Sequence, residues 1–398
     1  MSNGPLDSLR VLDVSTVMAA PMAAALLADY GAQVLKIELP SGDILRKLPP
    51  LKEGKSLIWK VTNRNKLFVT LDLRQPEGVE IFRKLVGRFD VLIENFRPGT
   101  LDRWGLSKEV LWSIQPRLVI VRITAFGQTG PYRDRPGFAR VFEAMGGLAY
   151  ISGRPDDTPM HCGYPIADAV GGVFGALAVL AAAWKRAKDP HAEGEEVDLS
   201  LTEAVLRLLE FLPIEYDQLA KVRERAGNAT QFSAPTLVAR TLDGKWVSLT
   251  GGDDVRFACN CRSIGRADLI DDPRFSSMAL RAEHAEELNG IFRRWCESHT
   301  LNAILEAYET HDGLISPVYS IAQIEQDPQM IARDAIVQVP DDDFGLVRMQ
   351  NVVPKFARDP GKVRASGAAL GRDNELVYGE WLGMSSDELA RLREAHVI

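Results

Sequence analysis

Short apolar segments alternate with amphipathic ones through the first third of this 398-residue chain. Arg10–Val14 and Gln33–Glu38 are typical of buried strands, and Ala19–Tyr30 between them is typical of a helix. The alternation continues to residue 124, with strands predicted at 67–71, 90–94 and 118–124 and a helix at 77–87. Strands that alternate with helices lie parallel in one sheet, with helices over both faces. The sequence therefore predicts an α/β fold with a Rossmann-like large domain and a mainly parallel sheet.

The rest of the chain indicates a smaller α/β domain. Charged and small residues at 221–235 favour a linker, and the turn Asp243-Gly244 between two apolar segments predicts a hairpin. We expect the first part of the large domain at 1–220, a linker at 221–235, the small domain at 236–325 and a return to the large domain at 326–398. Smaller features predicted within these limits are a helix from 201 to about 219, a strand at 347–353 and a terminal helix that begins near Ser385.

The first βαβ unit lacks the glycines of a dinucleotide site. Glu38 stands where a ribose-binding acid would be, but Ser15–Pro21 contains no glycine. Without those glycines the backbone cannot approach a pyrophosphate closely. The sequence therefore disfavours NAD binding.

Composition narrows the function class. The chain is 46% apolar and 25% charged, which is ordinary for a globular enzyme, and its net charge of −7 disfavours nucleic-acid binding. A basic, then apolar, N-terminal leader is not evident, so we expect a cytoplasmic protein that does not enter a membrane. Four cysteines at irregular spacing predict reduced thiols and no metal site.

One carboxylate, Asp168, lies where an extended segment gives way to a long apolar helix. The segment 161–172 reads His-Cys-Gly-Tyr-Pro-Ile-Ala-Asp-Ala-Val-Gly-Gly, and no polar residue occurs between Ala169 and Trp184. Asp168 fits a helix N-cap, whose side chain accepts a hydrogen bond from a free amide. It also fits a covalent nucleophile towards an activated acyl group, with backbone amides near the reacting carbonyl. The apolar run is shorter than a membrane span and is broken by glycines, so we interpret it as a buried core helix.

Several motifs, taken in order, resemble the class III coenzyme A transferases, also called the CaiB/BaiF family, which includes formyl-CoA transferase. The resemblance covers nearly the whole chain. It rests on Val11-Leu12-Asp13 with Pro21, Leu26-Leu27-Ala28-Asp29, Gly31–Glu38, Asn65-Lys66 before Leu71-Asp72-Leu73, Glu94–Gly99 with Leu101-Asp102-Arg103, Phe126–Pro131 and Ile166-Ala167-Asp168.

The resemblance implies a reaction at Asp168. In the family the matching aspartate attacks an acyl-CoA thioester, which gives an aspartyl anhydride and then an aspartyl-CoA thioester, before an acceptor acid takes the CoA. CoA is then a substrate and no cofactor is permanently bound. The resemblance also implies an interlocked homodimer of two ring-like chains.

Other site residues follow from matched positions. The resemblance implies that CoA is contacted by Val17, Leu71, Asn95, Phe96 and Arg103, with Arg103 at its phosphates. Arg140 resembles a family lysine near the active site, also a CoA-binding position, and Glu143 a glutamate near the acceptor. Gly251 and Gly252 resemble a mobile loop over the reacting carboxylate. Leu39 departs from the family, several of whose members carry an arginine there.

The substrates implied are an acyl-CoA and a carboxylic acid. Short dicarboxylic acids of the succinyl-CoA, mesaconate or itaconate type are favoured, with Arg46 or Arg140 as partner of the second carboxylate, and transfer within one molecule stays open. An epimerase like the α-methylacyl-CoA racemase branch is one alternative, although Gly137-Phe138-Ala139 replaces the histidine motif of that branch. A non-catalytic acyl-CoA-binding protein is another.

Overall fold

A computed structural model describes residues 4–230 and 232–398 of the chain. These residues form two compact units. The first unit comprises residues 4–148, 161–219 and 331–398, and the second comprises Ala149–Met160 and Ala220–Met330. The large domain was predicted at 1–220, but its segment 149–160 packs with the second unit. The chain returns to the first unit at Ile331, whereas the return was predicted at 326.

The strands are short, as is usual in such folds. In chain order they are β1 (Arg10–Asp13), β2 (Gln33–Glu38), β3 (Leu51–Lys52), β4 (Lys55–Ser56), β5 (Leu67–Thr70), β6 (Val91–Glu94), β7 (Val119–Thr124), β8 (Glu195–Ser200), β9 (Thr236–Arg240), β10 (Trp246–Thr250), β11 (Ile315–Pro317), β12 (Ile336–Asp341) and β13 (Gly345–Gln350).

The helices vary from one turn to more than six. They are α1 (Ala19–Asp29), α2 (Leu57–Thr62), α3 (Pro76–Val86), α4 (Thr100–Arg103), α5 (Lys108–Ile114), α6 (Ala139–Met145), α7 (Leu148–Ile151), α8 (Ile166–Lys188), α9 (Leu201–Leu208), α10 (Phe211–Leu219), α11 (Asp254–Ser263), α12 (Met278–Glu283), α13 (Ala285–Glu297), α14 (Leu301–Thr310), α15 (Ile321–Ile324), α16 (Pro328–Ala332) and α17 (Ser386–Glu394), with 3-10 turns at Ile44–Lys47 and Ala267–Leu269 and a π-helical segment at Glu375–Trp381.

A six-stranded parallel sheet forms the centre of the first unit, in the order β5-β2-β1-β6-β7-β8. Apart from the edge strand β8, its strands are mainly apolar, because helices cover both faces of the sheet. Val11 and its neighbours on one face pack against α1 and α8. Leu12 and its neighbours on the other face pack against α3, α5, α17 and the π-helical segment. The predicted α/β fold with a mainly parallel sheet is confirmed.

Helix α8 packs closely on α1 through glycines. A Cβ placed on Gly172 would lie 2.9 Å from Met22 Cγ, and one on Gly175 would lie 2.9 Å from Ala23 Cβ. Only a residue without a side chain allows this approach. Of the described helices, α8 alone is long and apolar enough to cross a membrane by length and composition. Its glycine face is buried in the first unit, so on that side it is a core helix, as predicted.

The second unit contains the predicted hairpin. Strands β9 and β10 pair antiparallel around Asp243-Gly244, β11 joins β10, and α11, α13 and α14 contribute to one apolar core. Gly244 has a φ of +76°, which suits glycine in a tight turn.

Two element predictions differ from the structure. The helix predicted from 201 to about 219 is two helices, α9 and α10, because Pro213 fixes the first turn of a new helix. The strand predicted at 347–353 is β13, which ends at Gln350 and pairs with β12 in a separate hairpin. The terminal helix α17 begins as predicted, and the Ser385 side chain accepts a hydrogen bond from the Glu388 amide.

Candidate active site

The carboxyl ends of β1 and β6 form the point where the strand order changes direction. From β1 the chain proceeds to β2 and β5 on one side, and from β6 it proceeds to β7 and β8 on the other. Open α/β sheets bind ligands in the crevice at such a point. The segments that follow these strands are held together there, since the Thr16 amide donates to Asn95 Oδ1 at 2.8 Å and Asn95 Nδ2 donates to the Thr16 carbonyl at 2.7 Å.

The turn between β1 and α1 has an unusual backbone. Val17 has a φ of +66°, a conformation that is costly for a β-branched residue. The Val17 amide donates to the buried Asp43 carboxylate, 3.2 Å from Oδ2, and Asp43 also accepts from the Leu45 amide at 2.9 Å. The surrounding hydrogen bonds therefore hold a strained residue at the crevice.

Buried charges lie directly beneath this turn. Asp13 accepts hydrogen bonds from Lys66 at 2.8 Å and from the Ser15 amide at 3.0 Å. Lys36 Nζ lies 3.5 Å from the Asp13 carboxylate and donates a hydrogen bond to the Ser15 carbonyl. Burial opposes ionisation of Asp13, but the charges of Lys36 and Lys66 outweigh it and keep the pKa of Asp13 below its ordinary value. Burial lowers the pKa of Lys66 to about 8. The cluster fixes the direction in which the turn leaves the sheet.

Asp168 lies in the first turn of α8 and lines a cavity of about 270 Å³ at the crevice. It is not the N-cap, which is Pro165, so the capping interpretation was wrong. Its carboxylate instead accepts a hydrogen bond from the backbone amide of Ala19, at the start of α1. Burial, followed by the negative charge of Glu143, raises the pKa of Asp168 to about 6. The result is a poorly solvated carboxylate that faces a cavity.

Glu143 is buried beside Asp168. Its Oε2 lies 2.7 Å from His161 Nδ1 and 3.6 Å from Arg140 Nη1. Arg140 Nη1 also donates to the Cys162 carbonyl at 2.9 Å, and neither Arg140 nor Glu143 borders the cavity that contains Asp168. These two predicted site residues therefore lie outside the cavity lining, and Glu143 acts on Asp168 through its charge.

A second cavity, of about 330 Å³, adjoins the first. Both cavities are bordered by Thr16 and Phe96. Most of the second lining is apolar, and it includes the predicted residue Leu71, Leu39 at the departure from the family motif, and Trp104, whose ring packs edge-on against Phe96 at 5.2 Å. Four of the six positions predicted to contact CoA thus border one cavity or both, namely Val17, Leu71, Asn95 and Phe96.

The remaining predicted residues lie elsewhere. Arg103 is exposed on α4 and donates to Thr100 Oγ1 at 2.8 Å. Arg46 donates to both Glu38 oxygens at 2.7 Å and stacks 3.7 Å above the Trp59 ring, so its guanidinium already has a carboxylate partner within the protein. Gly251 and Gly252 follow β10 in the second unit, where a Cβ on Gly251 would lie 2.6 Å from the Ala234 carbonyl oxygen. Within residues 4–230 and 232–398, no group of three or more metal-ligating side chains is found.

Some residues at the cavity were not predicted from the sequence. Among them are Asp43, the Ala19 amide and three arginines of the lining, Arg97, Arg133 and Arg135. The arginines carried a signal, because Arg97 lies within the motif Glu94–Gly99, and Arg133 and Arg135 follow the motif Phe126–Pro131 within four residues. Asp43 and Ala19 carried none, because only the folded chain brings them to the site.

Comparison with known proteins establishes the family. The model of CoA-transferase family III matches residues 6–374. The chain belongs to CoA-transferase family III. A succinyl-CoA–D-citramalate CoA-transferase of Chloroflexus aurantiacus is 39% identical over 99% of this chain and 98% of the relative. The β subunit of a succinyl-CoA–L-malate CoA-transferase of the same organism is 41% identical, with the same coverage. This class III CoA-transferase also resembles a solved CaiB/BaiF family protein of Brucella suis, with a TM-score of 0.83 and 30% identity over 95% of this chain and 99% of that one.

Proposed function

We propose that this CoA-transferase moves CoA from a short dicarboxylic acyl-CoA to a dicarboxylic acid through covalent intermediates on Asp168. The proposal rests on the position of the Asp168 carboxylate. This carboxylate lines the crevice cavity, accepts a hydrogen bond from the Ala19 amide and has a pKa of about 6. A carboxylate with little solvation is a stronger nucleophile, and at neutral pH this one is ionised.

The reaction divides into balanced steps. Asp168 attacks the thioester carbonyl, the C–S bond breaks, and an aspartyl anhydride and CoA thiolate result. The thiolate attacks the Asp168 carbonyl of the anhydride, which releases the donor acid and leaves an aspartyl-CoA thioester. The acceptor carboxylate then displaces the thiolate from Asp168, and the thiolate attacks the acceptor carbonyl, which frees Asp168. The thioester bond energy is conserved because water takes no part.

The adjoining cavities suit the two parts of an acyl-CoA. The apolar cavity bordered by Leu71, Phe96 and Trp104 fits the pantetheine arm, and exposed Arg103 fits the phosphates. The thioester would then lie near Thr16 and Phe96, which border both cavities. CoA is thus proposed as a substrate that enters and leaves.

Relatives support the substrate class. Their names give succinyl-CoA with D-citramalate or L-malate, and a succinate–glutarate CoA-transferase of Agrobacterium fabrum is 34% identical over 94% of this chain and 95% of the relative. The acids in all these names carry two carboxylates. The interlocked homodimer and the cytoplasmic location predicted from the sequence remain proposals.

The test is CoA exchange between succinyl-CoA and a panel of carboxylic acids, followed by mass spectrometry. The Asp168→Ala variant is expected to lose transfer by roughly 10³-fold or more, as when another covalent nucleophile is removed. Asp387→Ala, which removes an exposed first-turn aspartate of α17, is the matched control and keeps full activity. Incubation of the wild-type protein with succinyl-CoA alone should add one CoA to the intact mass, and Asp168→Ala should show no such adduct.

Other outcomes would favour other functions. Transfer that survives in Asp168→Ala contradicts the covalent route. No transfer, combined with exchange of the α-proton of a branched acyl-CoA in D₂O, indicates a racemase. CoA binding without any turnover indicates a binding protein.

A further inference from the structure

We propose that Arg135 binds the second carboxylate of the dicarboxylic substrate and thereby sets the preference for dicarboxylic over monocarboxylic acids. This inference rests on the proposed function and assigns its specificity to one side chain. Neither arginine considered from the sequence fits the task, because Arg46 is bound to Glu38 and Arg140 lies beside Glu143, outside the cavity lining.

The position of Arg135 points to the acyl group. Arg135 borders the Asp168 cavity and does not border the apolar cavity. The same is true of Pro136 and Phe138, which follow it in the chain. Phe96 borders both cavities, so the adjacent Arg97 is near their junction, on the side proposed for CoA. Arg135 is therefore on the side of the Asp168 cavity where the far end of a short acyl chain would extend.

Its hydrogen-bonding groups are free to bind a ligand. The Arg135 guanidinium makes no ion pair with residues 4–230 or 232–398. Arg133, two residues earlier in the same lining, is in contact with the Asp134 carboxylate at 3.3 Å. A free guanidinium presents a planar fork that matches a carboxylate with two parallel charged hydrogen bonds.

A chain of ring contacts holds Arg135 in place. Its guanidinium lies 3.6 Å from the centre of the Tyr132 ring, Tyr132 packs edge-on against Phe126 at 6.1 Å, and Phe126 packs edge-on against Phe142 at 6.2 Å. Phe142 is buried in the core and borders the same cavity. Stacking on an aromatic face leaves the edge of the guanidinium available, and it reduces the entropy that binding would otherwise remove. The exposed arginine is thus connected to the sheet through three rings.

The test compares two acceptors of equal length. With succinyl-CoA as donor, the rates of transfer to ¹³C-labelled succinate and to butyrate are measured by mass spectrometry, and the ratio of the two kcat/KM values is the readout. In Arg135→Gln the ratio is expected to fall roughly tenfold to a hundredfold, as on loss of a charged hydrogen-bond pair. Arg135→Lys keeps the charge without the fork, so part of the ratio should return. Arg133→Gln removes one positive charge from the same segment and should keep the wild-type ratio.

The outcomes separate this inference from the proposed function. A wild-type enzyme that transfers CoA to succinate no better than to butyrate overturns both. A preference for succinate that survives in Arg135→Gln overturns only the role of Arg135, and so does an equal loss in Arg133→Gln. Thermal unfolding curves that coincide for all the variants establish that the change in ratio is not a folding defect.

Discussion

At the scale of single residues, the proposed reaction of this CoA-transferase depends on how Asp168 is ionised. Burial and the charge of Glu143 raise its pKa, and the Ala19 amide partly opposes them. The raised value of about 6 still leaves the carboxylate ionised at neutral pH. Asp168 therefore combines weak solvation with the charge that a nucleophile needs.

This balance predicts an acid limit to the activity. Because only the ionised carboxylate attacks a thioester, kcat/KM should fall about tenfold per pH unit below about pH 6. Glu143→Gln removes a negative charge that raises the pKa of Asp168, so this limb should move to lower pH. Glu203→Gln, which changes an exposed acid of α9, should leave the limb in place. Rates measured from pH 4.5 to 8 test this, and a limb that moves to higher pH in Glu143→Gln would contradict it.

Sequence reasoning found some of these residues and missed others for a physical reason. The sequence identified Asp168, Asn95 and Phe96 because each lies within a contiguous motif. The residue types of the motif and their order were enough to predict these positions. Asp43 accepts a hydrogen bond from Val17, which lies 26 residues away in the sequence. Asp168 accepts one from the Ala19 amide, which lies about 150 residues away. Such contacts exist only after the sheet has formed. The ion pair of Arg46 was missed for the same reason, because its partner Glu38 follows from the path of the 39–47 turn and not from the local pattern.

At the scale of elements, the α1–α8 contact controls where Asp168, the proposed nucleophile, lies. The two helices begin at the crevice, and the Ala19 amide of one binds the Asp168 carboxylate of the other. Gly172 and Gly175 keep them close, since a Cβ on Gly172 would lie 2.9 Å from Met22 Cγ and one on Gly175 would lie 2.9 Å from Ala23 Cβ. The spacing of the helices therefore sets the hydrogen bond that orients Asp168.

Gly172→Ala should disturb this spacing. The added Cβ would lie 3.0 Å from Met22 Cβ and 3.2 Å from the Ala19 carbonyl oxygen, and neither atom is the free end of a flexible side chain. We expect α8 to move away from α1, with a loss of about 1 to 3 kcal/mol in the free energy of unfolding and a fall in kcat on the order of tenfold to a hundredfold. Gly163→Ala is the matched control, since its Cβ would meet open space. Chemical denaturation and transfer rates measure both effects, and full activity in Gly172→Ala would show that the contact does not position Asp168.

Helices and strands were predicted well where the apolar residues of a segment follow a single pattern. Strands β1, β2, β5, β6 and β7 were placed within one residue at each end because each is a short apolar run between polar turns. The break between α9 and α10 was missed although Pro213 signals it, because the apolar spacing continues on both sides. The strand β13 was placed without its partner β12, which pattern alone did not identify.

At the scale of the whole molecule, the two units draw on different parts of the chain. The first unit is built from both ends of the chain, and the main segment of the second unit, 220–330, comes from between them. Helix α8 also carries an apolar stripe at helical spacing, in which Val173, Leu177 and Trp184 are each more than half exposed. A second copy of the chain would cover this stripe, which a soluble monomer would rarely expose.

The interlocked homodimer predicts an unusual response to dilution. A dimer of two side-by-side chains separates at low concentration, whereas two threaded rings separate only if one chain unfolds. The mass in solution should therefore be twice the 44.0 kDa of one chain at micromolar and at nanomolar concentration, as measured by light scattering and by single-molecule mass photometry. Leu177→Glu places a charge within the stripe and should prevent assembly, while Leu346→Glu, at an exposed position of β13, should not. A single-chain mass at micromolar concentration contradicts the dimer. A dimer that separates on dilution contradicts only the threading, because contact through α8 alone would then account for the pair.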